Sequence, residues 1–135
     1  MLERENLVLL FVGHAERAHQ DPADLEAAAA LGEAAFCSGV VLAHAGLGVV
    51  HGLAPWRGSW HGVPHATACG CLMAACNAAT QRALRERAPQ SPARAHYAWL
   101  GRLASGAAAL GQDDAEDAAL AFLHRLTDLL ALPRL

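Results

Sequence analysis

The chain has 135 residues, enough for one domain of ordinary size. Charged residues make up only 17% of it, hydrophobic residues 54%, and the formal net charge is -3. The one local basic cluster, Arg82, Arg85 and Arg87, is expected to form a solvated helix face, so we expect no nucleic-acid partner. The four cysteines lie in apolar, helix-like sequence without a loop-rich framework, which favours free thiols and a cytoplasmic location.

The sequence before residue 46 predicts two helices. An apolar stripe at three-to-four spacing indicates the first over residues 3–19. Asp21 followed by proline is a helix-start signal, so the second is expected over about 22–45 with Asp21 as its N-cap. Its later turns are apolar throughout, which predicts a buried central helix. The apolar run over residues 34–50 is interrupted by a histidine and falls short of the roughly twenty residues of a membrane span, so we expect no membrane association.

The rest of the chain also predicts helices. After two glycines at 46 and 48, a short helix should begin at Val49 and stop at Pro55, followed by a loop over 55–62. A long helix should then open with Pro64 at its first position and run to about Ala88.

Two further helices complete the expected fold. One should cover 92–105, capped by Ser91, and Asp113 or Asp114 should cap a last helix that ends near Leu132. No alternating β-branched run predicts a strand. We therefore expect an all-α bundle of about five or six helices.

Two histidines, His51 and His65, lie on either side of the expected loop. Neutral imidazoles are the commonest protein ligands of transition metals, but such sites normally need three or four ligands. The alternative is a pair of ordinary core or surface histidines. A third ligand could come from one of four residues, His14, His44, His61 or Cys69. Cys69 is four residues after His65 and shares its helix face, whereas the cysteines are otherwise expected to be small buried hydrophobes.

These histidines belong to a recognisable pattern. Residues 45–54 read AGLGVVHGLA, and Pro64-His65-Ala66 follows. This resembles the helical-domain signature of the iron-containing (group III) alcohol dehydrogenases, A-G-L-G-x-x-H-x-x-A and then P-H-G, with the same separation of the two histidines. Residues 5–7, 38–39 and 94–103 are also similar, so the resemblance covers nearly the whole chain. The P-H-A form occurs in relatives that include maleylacetate reductases.

The resemblance implies a two-domain, NAD(P)-dependent oxidoreductase that acts on a small alcohol or aldehyde. Its helical domain holds a divalent metal, usually Fe2+ and sometimes Zn2+, and His51 and His65 would be two of the four ligands. The other two ligands would precede residue 1, and Pro55 stands where the family has histidine or glycine. We expect a single helical domain over residues 1–135, a fragment that lacks the nucleotide-binding domain and the last helices and is inactive alone.

Two other functions remain open at this point. The chain could be a non-catalytic interaction or oligomerisation module, because its Ala- and Leu-rich helices would expose apolar surface that a second copy or a partner chain covers. It could also be a small helical metal-binding protein that uses His51, His65 and one further local ligand.

Overall fold

The computed structural model describes residues 4–133, except for the side chains of residues 4, 5 and 57–61. These residues form six helices and no strand, which confirms the predicted all-α fold. The helices are α1 (Arg4–Gln20), α2 (Leu25–Ala45), α3 (Val49–His61), α4 (His65–Arg87), α5 (Pro92–Ser105) and α6 (Gln112–Leu129). The chain forms two compact units, one ending at Leu47 and the other beginning at Gly48.

The first unit is a helical hairpin in which α1 packs against α2. Asp24 caps α2: its carboxylate accepts a hydrogen bond of 2.9 Å from the amide of Ala27 and one of 2.8 Å from Arg17. The predicted cap, Asp21, is wrong, because that side chain instead accepts from the amide of Ala23 in the preceding turn. Both residues suit an N-cap by type, and Asp24, which directly precedes α2, has the extended backbone of a cap.

The apolar helix α2 is largely exposed, so the prediction of a buried central helix is wrong. Within the first unit only α1 packs against it, and a single neighbour covers one stripe. Phe36 remains 68% exposed and Leu42 43%. By length and composition α2 could also cross a membrane. One such helix is weak support for a membrane span, since helices of soluble proteins meet the same criterion.

The second unit is built around the pair α5 and α6. Both helices also pack against α4, and α4 in turn packs against α3. The two central helices approach closely at Gly101, where a methyl group would overlap the carbonyl oxygen of Ala115 and lie 2.9 Å from the amide nitrogen of Ala119. Phe122 and Leu126 of α6 are buried. The contacts of α5 and α6 with α4 fix this helix, which carries His65 and Cys69.

A buried carboxylate joins three helices of the second unit. Glu116 of α6 is only 1% exposed and accepts hydrogen bonds of 2.7 Å from Arg85 of α4 and 2.8 Å from Arg94 of α5. Burial favours the neutral acid, but the two guanidinium groups outweigh it and hold the pKa of Glu116 below its ordinary value. Arg85 was expected on a solvated face. It instead crosses between helices, because its long side chain reaches a charge that lies 31 residues away in sequence.

The predicted start of α5 and the predicted end of α4 are confirmed. Ser91 caps α5 through the amide of Ala93, and α4 ends at Arg87, one residue from the predicted end. The predicted cap of α6 was wrong, because Gly111 occupies the cap position and both acidic residues, Asp113 and Asp114, lie in the first turn. That helix also ends at Leu129, three residues earlier than predicted.

Helix α3 continues through Pro55, so the predicted loop over 55–62 is wrong. Proline has no amide hydrogen and leaves the carbonyl of His51 without the usual helical donor. Ala54, directly before the proline, is completely buried, and α3 packs along α4. Packing of this turn therefore stabilises the helix despite the missing hydrogen bond.

Candidate metal centre

The turn between α3 and α4 brings the two histidines together. Gly62 follows α3 with a φ of +63°, in the left-handed region that glycine adopts without a steric cost. Pro64 is extended, with φ -55° and ψ 140°, and serves as the N-cap of α4. The prediction that Pro64 is the first helical residue of α4 is therefore wrong. His65 is consequently the first residue of α4, and the chain reverses direction within three residues. The ring of His65, in the first turn of α4, lies beside the ring of His51, in the first turn of α3.

His51, in the first turn of α3, faces His65 across this reversal. Their ring centroids are 5.5 Å apart and the ring planes are inclined at 52°. His51 is half-buried and His65 is exposed, so the pair opens to solvent on the His65 side. The sequence pattern predicted these two residues as a pair, and the structure brings them together.

Cys69 is the third member of the cluster. It lies one helical turn after His65, and its Sγ is 3.5 Å from Nε2 of that histidine. One ligand atom from each of His51, His65 and Cys69 lies within 4.8 Å of the others. No carboxylate joins this group among the residues whose side chains are described. Partial burial raises the pKa of the Cys69 thiol above its ordinary value.

The donor set fits a divalent metal. In a tetrahedral site with bonds of about 2.0–2.3 Å, neighbouring nitrogen and sulfur donors are separated by roughly 3.3–3.6 Å. The observed separation of 3.5 Å between Cys69 Sγ and His65 Nε2 lies in this range. Small side-chain rotations would bring donors that lie up to 4.8 Å apart to the same spacing. Two imidazoles and a thiol are typical ligands of Zn2+ and of late first-row metals.

Two of the other histidine candidates belong to the first unit, and the third is His61. His14 and His44 belong to the first unit, and in each the Nδ1 atom bonds to a carbonyl oxygen of its own helix, that of Leu10 at 2.9 Å and that of Val40 at 2.7 Å. The side chain of His61 is among those outside the described residues.

The remaining cysteines do not join the cluster. Cys37 and Cys76 are buried, as expected for small hydrophobes, and Cys71 is half-buried. The sequence predicted small buried hydrophobes at most of the cysteines and set Cys69 apart because it lies four residues after His65. The start of α4 at His65 places these two residues one helical turn apart, as that spacing predicted.

A comparison with protein families decides the affiliation of the chain. The model of the Fe-containing alcohol dehydrogenase family, C-terminal, matches residues 3–134. The chain belongs to this family. The resemblance found in the sequence is thereby confirmed over nearly its whole length. Neither the curated proteins nor the solved structures gave a match.

Membership in the Fe-containing alcohol dehydrogenase family gives the cluster a chemical context. The match falls on the C-terminal part of the family, and the family is defined by a metal cofactor. In this chain the only group of three described side chains that could hold a metal is the one at His51, His65 and Cys69. The cluster at the start of α4 is therefore the candidate metal centre.

Proposed function

We propose that this chain is the metal-binding helical part of a metal-dependent, NAD(P)-linked alcohol dehydrogenase, with His51 and His65 as two of its metal ligands. The observation that supports the proposal is the proximity of the two imidazole rings, one on α3 and one on α4, whose centroids are 5.5 Å apart. Family membership supports the class of reaction. A bound Fe2+ or Zn2+ would supply a Lewis acid that polarises the oxygen of a small alcohol or aldehyde.

The residues of this chain would hold and orient that group. His51 is half-buried, which restricts its rotation. His65 is exposed at the start of α4, which leaves room for a substrate oxygen to enter from solvent. Gly62 has a positive φ in the turn between the two helices, so an L side chain at that position would strain this turn.

Hydride transfer needs a nicotinamide. We propose that the nicotinamide binds outside the described part of this chain. Residues 4–133 form helices only, whereas a dinucleotide normally binds at the end of a strand that leads into a glycine-rich turn. Pro55 occupies the place of the family's histidine or glycine and has no group that could transfer a proton. We therefore expect the chain alone to bind metal but not to oxidise alcohols.

Elemental analysis tests the metal assignment. The purified chain should contain a divalent transition metal in a stoichiometric amount, and the double variant His51→Ala/His65→Ala should not. The variant His96→Ala is a suitable control, because His96 is an exposed histidine of α5 and not part of the cluster. Equal metal content in the chain and in the double variant would contradict the proposal, as would the absence of metal from both.

An assay of the same sample with NAD+ or NADP+ and a short-chain alcohol tests the second statement. No turnover above the rate of the double variant is expected. Turnover that depends on His51 and His65 in the isolated chain would show that the cofactor site is present after all.

A second function, self-association, is favoured by the exposed apolar side chains of α2. Phe36, Val40 and Leu42 are each at least 41% exposed on one helix. Apolar patches of this kind usually mark contact surfaces, and we propose that a second copy of the chain covers this one.

We further propose a soluble, cytoplasmic protein. Family membership and the presence of four free cysteines are consistent with that location.

A further inference from the structure

We propose that Cys69 is a third metal ligand and that, together with His51 and His65, it forms a local site that prefers Zn2+ to Fe2+. The proposal rests on the proposed function in one respect, since it needs the two histidines to bind a metal. It goes beyond that function because it adds a sulfur ligand, completes three-point binding within the second unit and assigns a metal preference.

The geometry of α4 supports a role for Cys69. His65 and Cys69 are four residues apart on one helix, so a single rigid element presents both donors toward the same point. Their donor atoms are already 3.5 Å apart. The His51 donor, from the adjacent helix, lies within 4.8 Å of both. A metal ion would therefore need only side-chain adjustments, and no movement of the backbone, to contact all three residues.

The chemistry of the donor set supports the metal preference. A thiolate is a soft ligand that favours Zn2+ and Cu+ over hard cations, and a given site binds Zn2+ more tightly than Fe2+ in the usual order of affinities. One thiolate and two neutral imidazoles leave a net charge of +1 on a bound divalent ion. Three protein ligands with one open position are typical of catalytic zinc sites, in which water or substrate takes the fourth place. The exposure of His65 provides that open side.

The neighbouring cysteine provides a matched control. Cys71 is half-buried like Cys69, but it lies two residues further along α4 and so points about 200° away around the helix. It is not part of the cluster. A serine at either position changes the same atom in the same helix, and only the change at Cys69 should affect a bound metal.

Titration with Co2+, a spectroscopic substitute for Zn2+, tests the proposal on the full chain. The wild type and Cys71→Ser should develop the near-ultraviolet charge-transfer absorption of a cobalt–thiolate bond, and Cys69→Ser should not. The affinity of Cys69→Ser for Co2+ should fall by more than about 100-fold, beyond the 10–100-fold cost of losing a group that only supports a ligand. Zn2+ should displace Co2+ stoichiometrically, and Fe2+ at the same concentration should not.

Several outcomes would overturn the proposal, and they are separable from failure of the proposed function. If Co2+ binds without the thiolate absorption, or if the absorption survives in Cys69→Ser, Cys69 is not a ligand. Loss of Co2+ binding in His51→Ala/His65→Ala would then still support the two histidines. Conversely, a thiolate absorption that persists in this double variant would contradict the histidine assignment. Cys69→Ala, which suits an Ala-rich helix, replaces the serine variant if the latter does not fold.

Discussion

At the scale of single residues, the carboxylate of Glu116 joins three helices of the second unit. It is 1% exposed and contacts guanidinium groups from two other helices. Burying a carboxylate is costly, and the cost is met only while its partners are in place. Arg94 is itself 12% exposed and also pairs with Asp113. Removal of the central charge would leave two arginines facing each other near the core.

The variant Glu116→Gln should lower the free energy of unfolding of the second unit by about 2–4 kcal/mol, because it removes one partner of a mostly buried ion pair. Asp117→Asn is the matched control. Asp117 pairs with Arg85 at 2.7 Å but is 62% exposed, so this change should cost less than about 1 kcal/mol. Denaturation followed by tryptophan fluorescence measures both, since all three tryptophans lie after residue 48. Equal costs for the two variants would contradict the account.

The contribution of Glu116 should also depend on pH. Its pKa in the folded chain lies below the ordinary value of 4.5, so its stabilisation is fully present above that value and is lost as the pH falls through the lower folded pKa. The difference in unfolding free energy between wild type and Glu116→Gln should therefore be constant above about pH 5.5 and shrink below about pH 4.5. Measurement of this difference from pH 3 to 7 tests the sign. A difference that grows toward acid pH would contradict it.

At this scale the sequence predicted which candidate site residues lie together better than it predicted the stabilising contacts. The histidine pair followed from a motif, and Cys69 followed from helical spacing. The partners of Glu116 are 22 and 31 residues away, and only the packing of three helices brings them together. Nothing in the local sequence indicates which arginine would reach which carboxylate.

At the scale of the helices, the close approach of α5 and α6 depends on Gly101. A methyl group there would overlap the carbonyl oxygen of Ala115, which is backbone and cannot rotate away. Gly101→Ala should therefore force the two helices apart and cost at least about 3 kcal/mol, the upper end of the usual range for overpacking. The free energy of unfolding of the second unit, measured by tryptophan fluorescence, provides the test.

Gly52→Ala is the control for this prediction. Gly52 lies within α3 of the same unit, and nothing contacts the position of its missing side chain. Alanine there should stabilise the helix by about 0.5–1 kcal/mol. A similar effect of both substitutions would show that helix propensity, and not close packing at Gly101, determines the outcome.

The helix boundaries show what local sequence can and cannot predict. The start of α5 was predictable because Ser91 is followed directly by proline at the first helical position. The start of α2 was not predictable, because both Asp21 and Asp24 are suitable N-caps. The side chain of Asp21 accepts a hydrogen bond within the turn that precedes the helix, and Asp24 caps the helix. Pro55 was expected to end α3, but packing of the buried Ala54 next to it outweighs the lost hydrogen bond.

At the scale of the whole molecule, the exposed side of α2 predicts self-association. Phe36 and Val40 are four residues apart on one face and are 68% and 41% exposed. Sedimentation velocity of the wild type should show a concentration-dependent oligomer, and Phe36→Gln/Val40→Gln should shift it toward monomer. Ser38→Gln, a change at another exposed position of α2, should leave the distribution unchanged. A wild type that remains monomeric at high concentration would contradict the prediction.

This surface also marks the limit of prediction from composition. The sequence correctly indicated an apolar helix over α2 but could not show how much of it neighbouring helices would cover. Burial depends on the number of neighbours, and within the first unit only α1 packs against α2.

X-ray absorption at the zinc edge of the zinc-loaded full chain would identify the ligands of the metal centre. Two imidazole nitrogens at about 2.0–2.1 Å and one sulfur at about 2.3 Å from the metal are expected. The sulfur contribution should disappear in Cys69→Ser, and His51→Ala/His65→Ala should retain no stoichiometric zinc. A shell of oxygen donors alone, unchanged in these variants, would contradict the assignment of the metal centre to the turn between α3 and α4.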